Sequence, residues 1–139
     1  MQGVAGVWVV IAAYNEATVI AGVVEDLRRH YPDVVLVDDG SKDSTGRLAA
    51  AAGAVVVTHP INLGQGAALQ TGLAYALRAG ARFIVTFDAD GQHRPEDIAV
   101  LLQALQTQAA DYALGSRFLG ASEDMPLSRR LLLHAATIF

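Results

Sequence analysis

Cysteine is absent from the 139 residues, which removes disulfides, thiolate metal sites and cysteine nucleophiles together and leaves the redox compartment open. Lysine is nearly absent as well. Lys42 stands alone beside nine arginines, and acids outnumber bases to give a formal net charge of -4. That balance offers no electrostatic footprint for nucleic-acid binding. No run of about 20 predominantly apolar residues exists to span a membrane. Met1 to Asn15 is uncharged but has no basic leader, and Leu48 to Leu77 is broken by Pro60, Asn62, Gly64, Gln65 and Gly66. Several enzyme signatures are missing too: there is no G-x-x-x-x-G-K-[ST] phosphate loop and no G-x-S-x-G elbow. Leu69 stands where a dinucleotide fingerprint that began at Gly64 and Gly66 would need its third glycine. His30, His59, His93 and His134 are dispersed without zinc-ligand spacing, which favours surface or packing roles, and only His93 lies beside acidic residues.

What remains is 53% hydrophobic and 17% charged, too apolar for a disordered chain. A single domain of this length buries roughly 68–70% of its unfolded surface, enough for a core without staples. Apolar runs of strand length alternate with stretches of helical period. Strands are expected at Val7 to Ala12, Val34 to Val37, Ala54 to Thr58, Phe83 to Phe87 and Tyr112 to Gly115. Between them, Ile20, Val23, Val24 and Leu27 fall at helical spacing, as do Leu69, Gly72, Leu73, Ala76 and Leu77, ended by Gly80; Ser44 to Ala52 is alanine-rich. Pro95 sits where a first helical turn tolerates proline, ahead of Ile98, Leu101, Leu102 and Leu105. Strand-helix alternation of this kind predicts an α/β fold with a doubly wound, mainly parallel sheet.

The polar residues cluster where expected strands end. Tyr14-Asn15-Glu16 follows the first strand, Asp38-Asp39-Gly40-Ser41 the second, Asp88 to His93 the fourth, and Ser116-Arg117 the fifth. In an open parallel sheet these ends line one crevice. Asp88 and Asp90 suit a hard divalent cation, which reverses the repulsion that bare carboxylates would exert on a phosphate. Like charges about 4 Å apart repel by roughly 4 kcal/mol at an effective dielectric near 20. Asn62 to Gly66 adds a glycine-rich turn before a helix, where backbone N–H groups can meet an anion. The combination reads as metal-assisted diphosphate binding. Each part alone has a plainer reading: Asp-Gly pairs make ordinary turns, an aspartate can cap the next helix, and a glycine turn can serve packing.

These residues carry a family resemblance. The stretches IAAYNEATVI, VVLVDDGSKDSTG, NLGQGAALQTGL, FIVTFDADGQHRPEDI and ALGSRF, followed by PLSRR, resemble the family-two glycosyltransferases of GT-A fold, most closely the dolichol-phosphate mannose synthase and polyprenyl-phosphate glycosyltransferase branch. The resemblance implies a Rossmann-like nucleotide-binding half and an inverting transfer of a mannose- or glucose-type sugar. The donor would be a GDP- or UDP-linked sugar, the acceptor a polyprenyl or dolichyl phosphate, and the cofactor Mg²⁺ or Mn²⁺. It implies that Ala12, Tyr14 and Glu16 hold the nucleoside, that Val37 and Asp39 meet base and ribose, and that Asp88, Ala89 and Asp90 form the Asp-x-Asp element. Metal contact is expected from Asp88, Asp90 and Gln92, with Asp90 and Arg117 as the catalytic pair. Arg117 and Arg129 are expected to grip the acceptor phosphate. Gln65 stands where the family usually carries lysine. Because family catalytic domains continue further, residues 1–139 are expected to be a donor-binding domain truncated at its C-terminal end. The expected location is cytoplasmic, at the cytoplasmic face of a membrane, with Arg129, Arg130 and the apolar tail touching the membrane surface.

Other functions compete. A non-catalytic nucleotide-sugar sensor fits the same donor motifs. A haloacid-dehalogenase-type phosphohydrolase shares an Asp-x-Asp-Gly segment, but its segment follows the first strand and continues with threonine, whereas here it follows the fourth and continues with Gln92. A receiver domain carries its acidic pair after the first strand; here the pair follows the second.

Overall fold

The computed structural model describes residues 5–90, 93–108, 110–111 and 113–115. Its elements run β1 (Val7–Ala13), α1 (Ile20–Arg28), β2 (Asp33–Asp38), α2 (Thr45–Ala51), β3 (Val55–Thr58), α3 (Gln65–Arg78), β4 (Phe83–Thr86) and α4 (Pro95–Gln108). The strands form one sheet in the order β3-β2-β1-β4, and every pairing is parallel. The expected doubly wound α/β fold is therefore present.

Both faces of the sheet are covered, which is why β1 and β2 read as continuous apolar runs. On one face Val7, Val9, Ile11, Val34 and Leu36 pack with Ile20, Val24 and Leu27 of α1, Ala49 of α2, and Ile98 and Leu102 of α4. On the other, Val10 and Val35 pack with Ala76 of α3, joined by the half-buried Trp8, Leu69 and Tyr75. Trp8 meets the Tyr75 ring edge-on at 5.6 Å, so the lone tryptophan belongs to the packing. The approach of α3 depends on Gly72. A Cβ there would lie 2.3 Å from Val10 Cγ1, so the helix reaches the sheet only because that position has no side chain.

Because α1 and α2 lie on one face and α3 on the other, the chain reverses direction after β3. It crosses β2 and β1 through α3 and adds β4 beyond β1. The crevice expected at such a switch point lies beyond the carboxyl ends of the strands. Element boundaries match expectation closely: β2 extends to Asp33 and Asp38, and the larger shift is in the third helix. The third helix begins at Gln65, because Gly64 at φ +93° breaks from the loop in a left-handed conformation that favours glycine. Of the expected fifth strand, Tyr112 lies outside the described residues, and 113–115 form no strand. Leu114 is 87% exposed, so no burial stabilises an added strand there.

Candidate functional site

The loops at the carboxyl edge are tied to one another by side-chain hydrogen bonds. Asn15, at φ +55°, turns the chain after β1 and bridges to the loop after β2. Its N–H donates to Ser41 Oγ at 2.9 Å, and its Oδ1 accepts from the Lys42 N–H at 2.9 Å. Next, the Glu16 N–H donates to Thr45 Oγ1 at 2.8 Å and the Ala17 N–H to Asp43 Oδ2 at 3.2 Å. Asp43 Oδ1 accepts from both the N–H and the hydroxyl of Thr45. The Thr45 bonds, partly opposed by desolvation, hold the Asp43 carboxyl below its usual range. Asp38 Oδ1 closes its own turn by accepting from the Ser41 N–H at 2.9 Å. Much of the Tyr14-Asn15-Glu16 and Asp43 to Thr45 sequence is therefore a clasp between two loops, which fixes where Tyr14 and Glu16 sit.

Asp39 does comparable work toward α3. It is buried, with Oδ1 accepting from the Leu63 N–H at 2.9 Å and Oδ2 from the Gly64 N–H at 2.8 Å. Oδ1 also lies 2.7 Å from His59 Nδ1, and His59 Nε2 lies 2.9 Å from Thr71 Oγ1 on α3. Burial alone would raise the Asp39 carboxyl. The bonds from Leu63, His59 and Gly64 outweigh it and hold the group below its usual 3.8. Gly40 permits this reach. It takes φ +75°, and a Cβ there would come 2.7 Å from the Ile61 carbonyl carbon.

These loops enclose a recess of about 220 Å³ lined by Ala12, Ala13, Tyr14, Glu16, Asp39, Asn62, Gln65 and Ala68. Four residues expected to meet the nucleotide, Ala12, Tyr14, Glu16 and Asp39, thus share one cavity. Val37 does not line it; its side chain is wholly buried, and its Cγ2 faces Gly72 of α3. Gln65 links the recess to the end of β4, where its Nε2 lies 3.4 Å from Asp88 Oδ1. There Asp88, Asp90 and His93 place one ligand atom each within 4.8 Å of one another. Asp90 Oδ1 is 3.5 Å from His93 Nδ1, and the His93 ring leans on Phe87 at 5.7 Å. Two carboxylates and an imidazole open to solvent suit Mn²⁺ or Mg²⁺, carboxylate oxygen fitting both and imidazole fitting Mn²⁺ better. Ala89 is buried between them. Gln92, Arg117 and Arg129 lie outside the described residues.

Sequence reasoning missed the supporting residues Asp43, Thr45, Thr71 and Ala68, placed Asn15 at the crevice without its clasp, and gave His59 only a surface or packing role. A signal existed for His59, which closes β3 at the same edge as Asp39. Nothing in the local sequence pointed to Thr71, because its partner comes from the opposite end of a loop.

Residues 8–136 match the family described as glycosyl transferase family 2. The chain belongs to that family. The haloacid-dehalogenase and receiver readings are set aside by it. The chain is 36% identical over 145 residues to a UDP-N-acetylglucosamine–dolichyl-phosphate N-acetylglucosaminyltransferase of Methanococcus voltae, covering 90% of this chain and 58% of that one. It is 37% identical over 141 residues to a polyprenol monophosphomannose synthase of Mycolicibacterium smegmatis, covering 94% of this chain and 53% of that one. Among solved structures, it resembles glucosyl-3-phosphoglycerate synthase of Mycobacterium tuberculosis in complex with Mn²⁺, UDP-glucose and phosphoglyceric acid. The TM-score is 0.58 at 26% identity, covering 73% of this chain and 39% of that one. The family-two chain thus has a GT-A architecture and spans a little over half the length of those two curated relatives. Among its described residues no helix is long and apolar enough to cross a membrane.

Proposed function

We propose that this family-two chain is the donor-binding part of an inverting glycosyltransferase that moves a sugar from a nucleoside diphosphate to a polyprenyl phosphate. The observation that carries the reading is the joining of two chemistries at one edge. The polar recess sits beside the Asp88–Asp90–His93 group, and Gln65 touches both. In this reading Tyr14, Glu16 and Asp39 receive the nucleoside. Asp39, an ionised carboxylate, only accepts hydrogen bonds, so the ligand must present an N–H or O–H there; uracil, guanine and ribose each offer one. The first helical bond of α3 runs from the Ala68 N–H to the Gly64 carbonyl at 3.1 Å. The amides of residues 65–67 therefore lie in the turn whose donors have no helical partner, suited to a diphosphate oxygen.

Asp88, Asp90, His93 and Gln92 would hold the divalent cation, which supplies positive charge against the departing diphosphate. Arg117 and Arg129 are assigned to the acceptor phosphate, since an anionic nucleophile beside a diphosphate needs a cationic clamp. One acceptor oxygen forms the bond to the anomeric carbon as the bond from that carbon to the diphosphate breaks, inverting the centre. A phosphate monoester is already ionised, so no strong general base is required. The names of the M. voltae and M. smegmatis relatives support the lipid-phosphate acceptor, and such an acceptor places the working protein at a membrane surface.

The test is transfer of radiolabelled sugar from UDP- and GDP-linked donors to a short polyprenyl phosphate, with Mn²⁺ and with Mg²⁺. Metal-dependent labelled lipid, lost in Asp90→Asn, supports the reading. Nucleotide binding with no transfer by the full-length protein supports a sensor instead.

A further inference from the structure

His59 is a buried titratable side chain that the proposed reaction leaves unused. It is 8% exposed and belongs to a relay that ties three elements together. From the end of β3 its Nδ1 lies 2.7 Å from Asp39 Oδ1 at the end of β2, and its Nε2 lies 2.9 Å from Thr71 Oγ1 on α3. An ionised carboxylate can only accept, so Nδ1 carries the proton and donates it to Asp39. Thr71 fixes the ring by bonding the other nitrogen. The ring therefore cannot turn without breaking a bond at each end.

The consequence falls on the recess. Asp39 receives the His59 N–H and the Leu63 amide on one oxygen and the Gly64 amide on the other. Those amides belong to the loop whose Asn62 and Gln65 form one side of the recess. The Asn62 side chain adds a bond from the Gly64 N–H to its own Oδ1 at 3.0 Å. With His59 donating, Asp39 has a single orientation, in which Oδ2 holds Gly64 and retains acceptor capacity at the cavity that Asp39 lines. Without it, the carboxylate can rotate and release either amide.

We infer that His59 is a positioning residue for the nucleotide site, locking Asp39 and through it the 62–65 loop in the orientation that receives the nucleoside. The inference rests on the donor-site reading above, but its first link, from His59 to the loop amides, does not. His59→Leu removes both bonds. His59→Asn keeps an N–H donor near the Nδ1 position and loses only the Thr71 link, and Thr71→Val removes that link while preserving shape.

The experiment measures two quantities on each variant: hydrogen exchange of the Leu63 and Gly64 amides by NMR, and calorimetric affinity for UDP and GDP with Mn²⁺. In His59→Leu both amides should exchange at least about tenfold faster and nucleotide affinity should fall roughly tenfold, the equivalent of about 1.4 kcal/mol. His59→Asn should recover most of both losses, which a general loss of packing would not allow. Unchanged amide exchange in His59→Leu overturns the lock, and faster exchange with unchanged affinity overturns its role in the site. If His59→Leu does not fold, Thr71→Val decides by the same two readouts, with smaller changes expected in the same direction and no change in either overturning the inference. Wild-type protein that binds neither nucleotide overturns the donor-site reading and the nucleotide role of His59 with it. The exchange data then still decide whether His59 holds the loop.

Discussion

Replacing Asp39 by asparagine probes the carboxyl edge most directly. The carboxylate holds the Leu63 and Gly64 amides and the His59 ring within 2.7–2.9 Å. An asparagine that keeps its oxygen toward Leu63 and His59 turns an NH₂ group toward the Gly64 N–H, donor against donor. The Gly64 N–H then keeps only its bond to Asn62 Oδ1 at 3.0 Å; losing its bond to a charged group costs about 1.5–3 kcal/mol, and the remaining bonds lose their charge assistance. A total loss of about 2–3 kcal/mol follows. At roughly 4 °C per kcal/mol for a domain of this size, that is a melting-temperature drop of roughly 8–12 °C. Differential scanning calorimetry measures it, and amide exchange at Gly64 localises it. A variant melting within about 2 °C of wild type, with Gly64 still protected, would refute the assignment of Asp39 as the anchor of the 62–65 loop.

Three further outcomes are expected. Gly72→Ala drives a methyl into Val10 Cγ1 across a 2.3 Å gap; an overpacking loss of about 1–3 kcal/mol should appear as a lower urea midpoint with the slope unchanged. Asp39 and Asp43 have folded-state values below the usual 3.8, so their ionisation stabilises the fold fully above that value, and the contribution is lost as pH falls through the lower folded values. Thermal melts between about pH 6 and pH 2.5 should therefore fall less steeply for Asp43→Asn than for wild type, and parallel curves would contradict the assignment. Gln65→Lys places a cation beside Asp88, where the wild-type amide lies 3.4 Å away. Mn²⁺ affinity measured by electron paramagnetic resonance should fall roughly tenfold in the absence of nucleotide, and equal affinity would detach Gln65 from the metal group.

The fold was legible because its signals are local and redundant. The β-branched runs of β1 and β2 are buried on both faces, and only a covered parallel sheet gives such runs a place. The edge that gathers Tyr14, Asp39 and Asp88 followed from that topology. What stayed hidden depends on contacts between residues distant in sequence. Asn15 meets Ser41, Glu16 meets Thr45, and His59 meets Thr71; spacing rules do not reach across such separations. The role expected of Val37 came from the family resemblance, yet alternation along β2 turns its side chain under α3 while Asp39 follows the strand into the crevice. His93 stands beside the acidic cluster in the sequence, where nothing marks it as a ligand. Its 3.5 Å approach to Asp90 and its ring contact with Phe87 are contacts that spacing in the sequence does not specify.

The central claim is that the recess and the Asp88–Asp90–His93 group form one metal-assisted nucleotide site. Calorimetric titration with GDP and UDP tests it, each with and without Mn²⁺, on wild type and Asp90→Asn. Binding of one nucleotide that requires Mn²⁺ and disappears in Asp90→Asn is the predicted result. Binding of equal strength with and without the metal, or retained in full by Asp90→Asn, would contradict it.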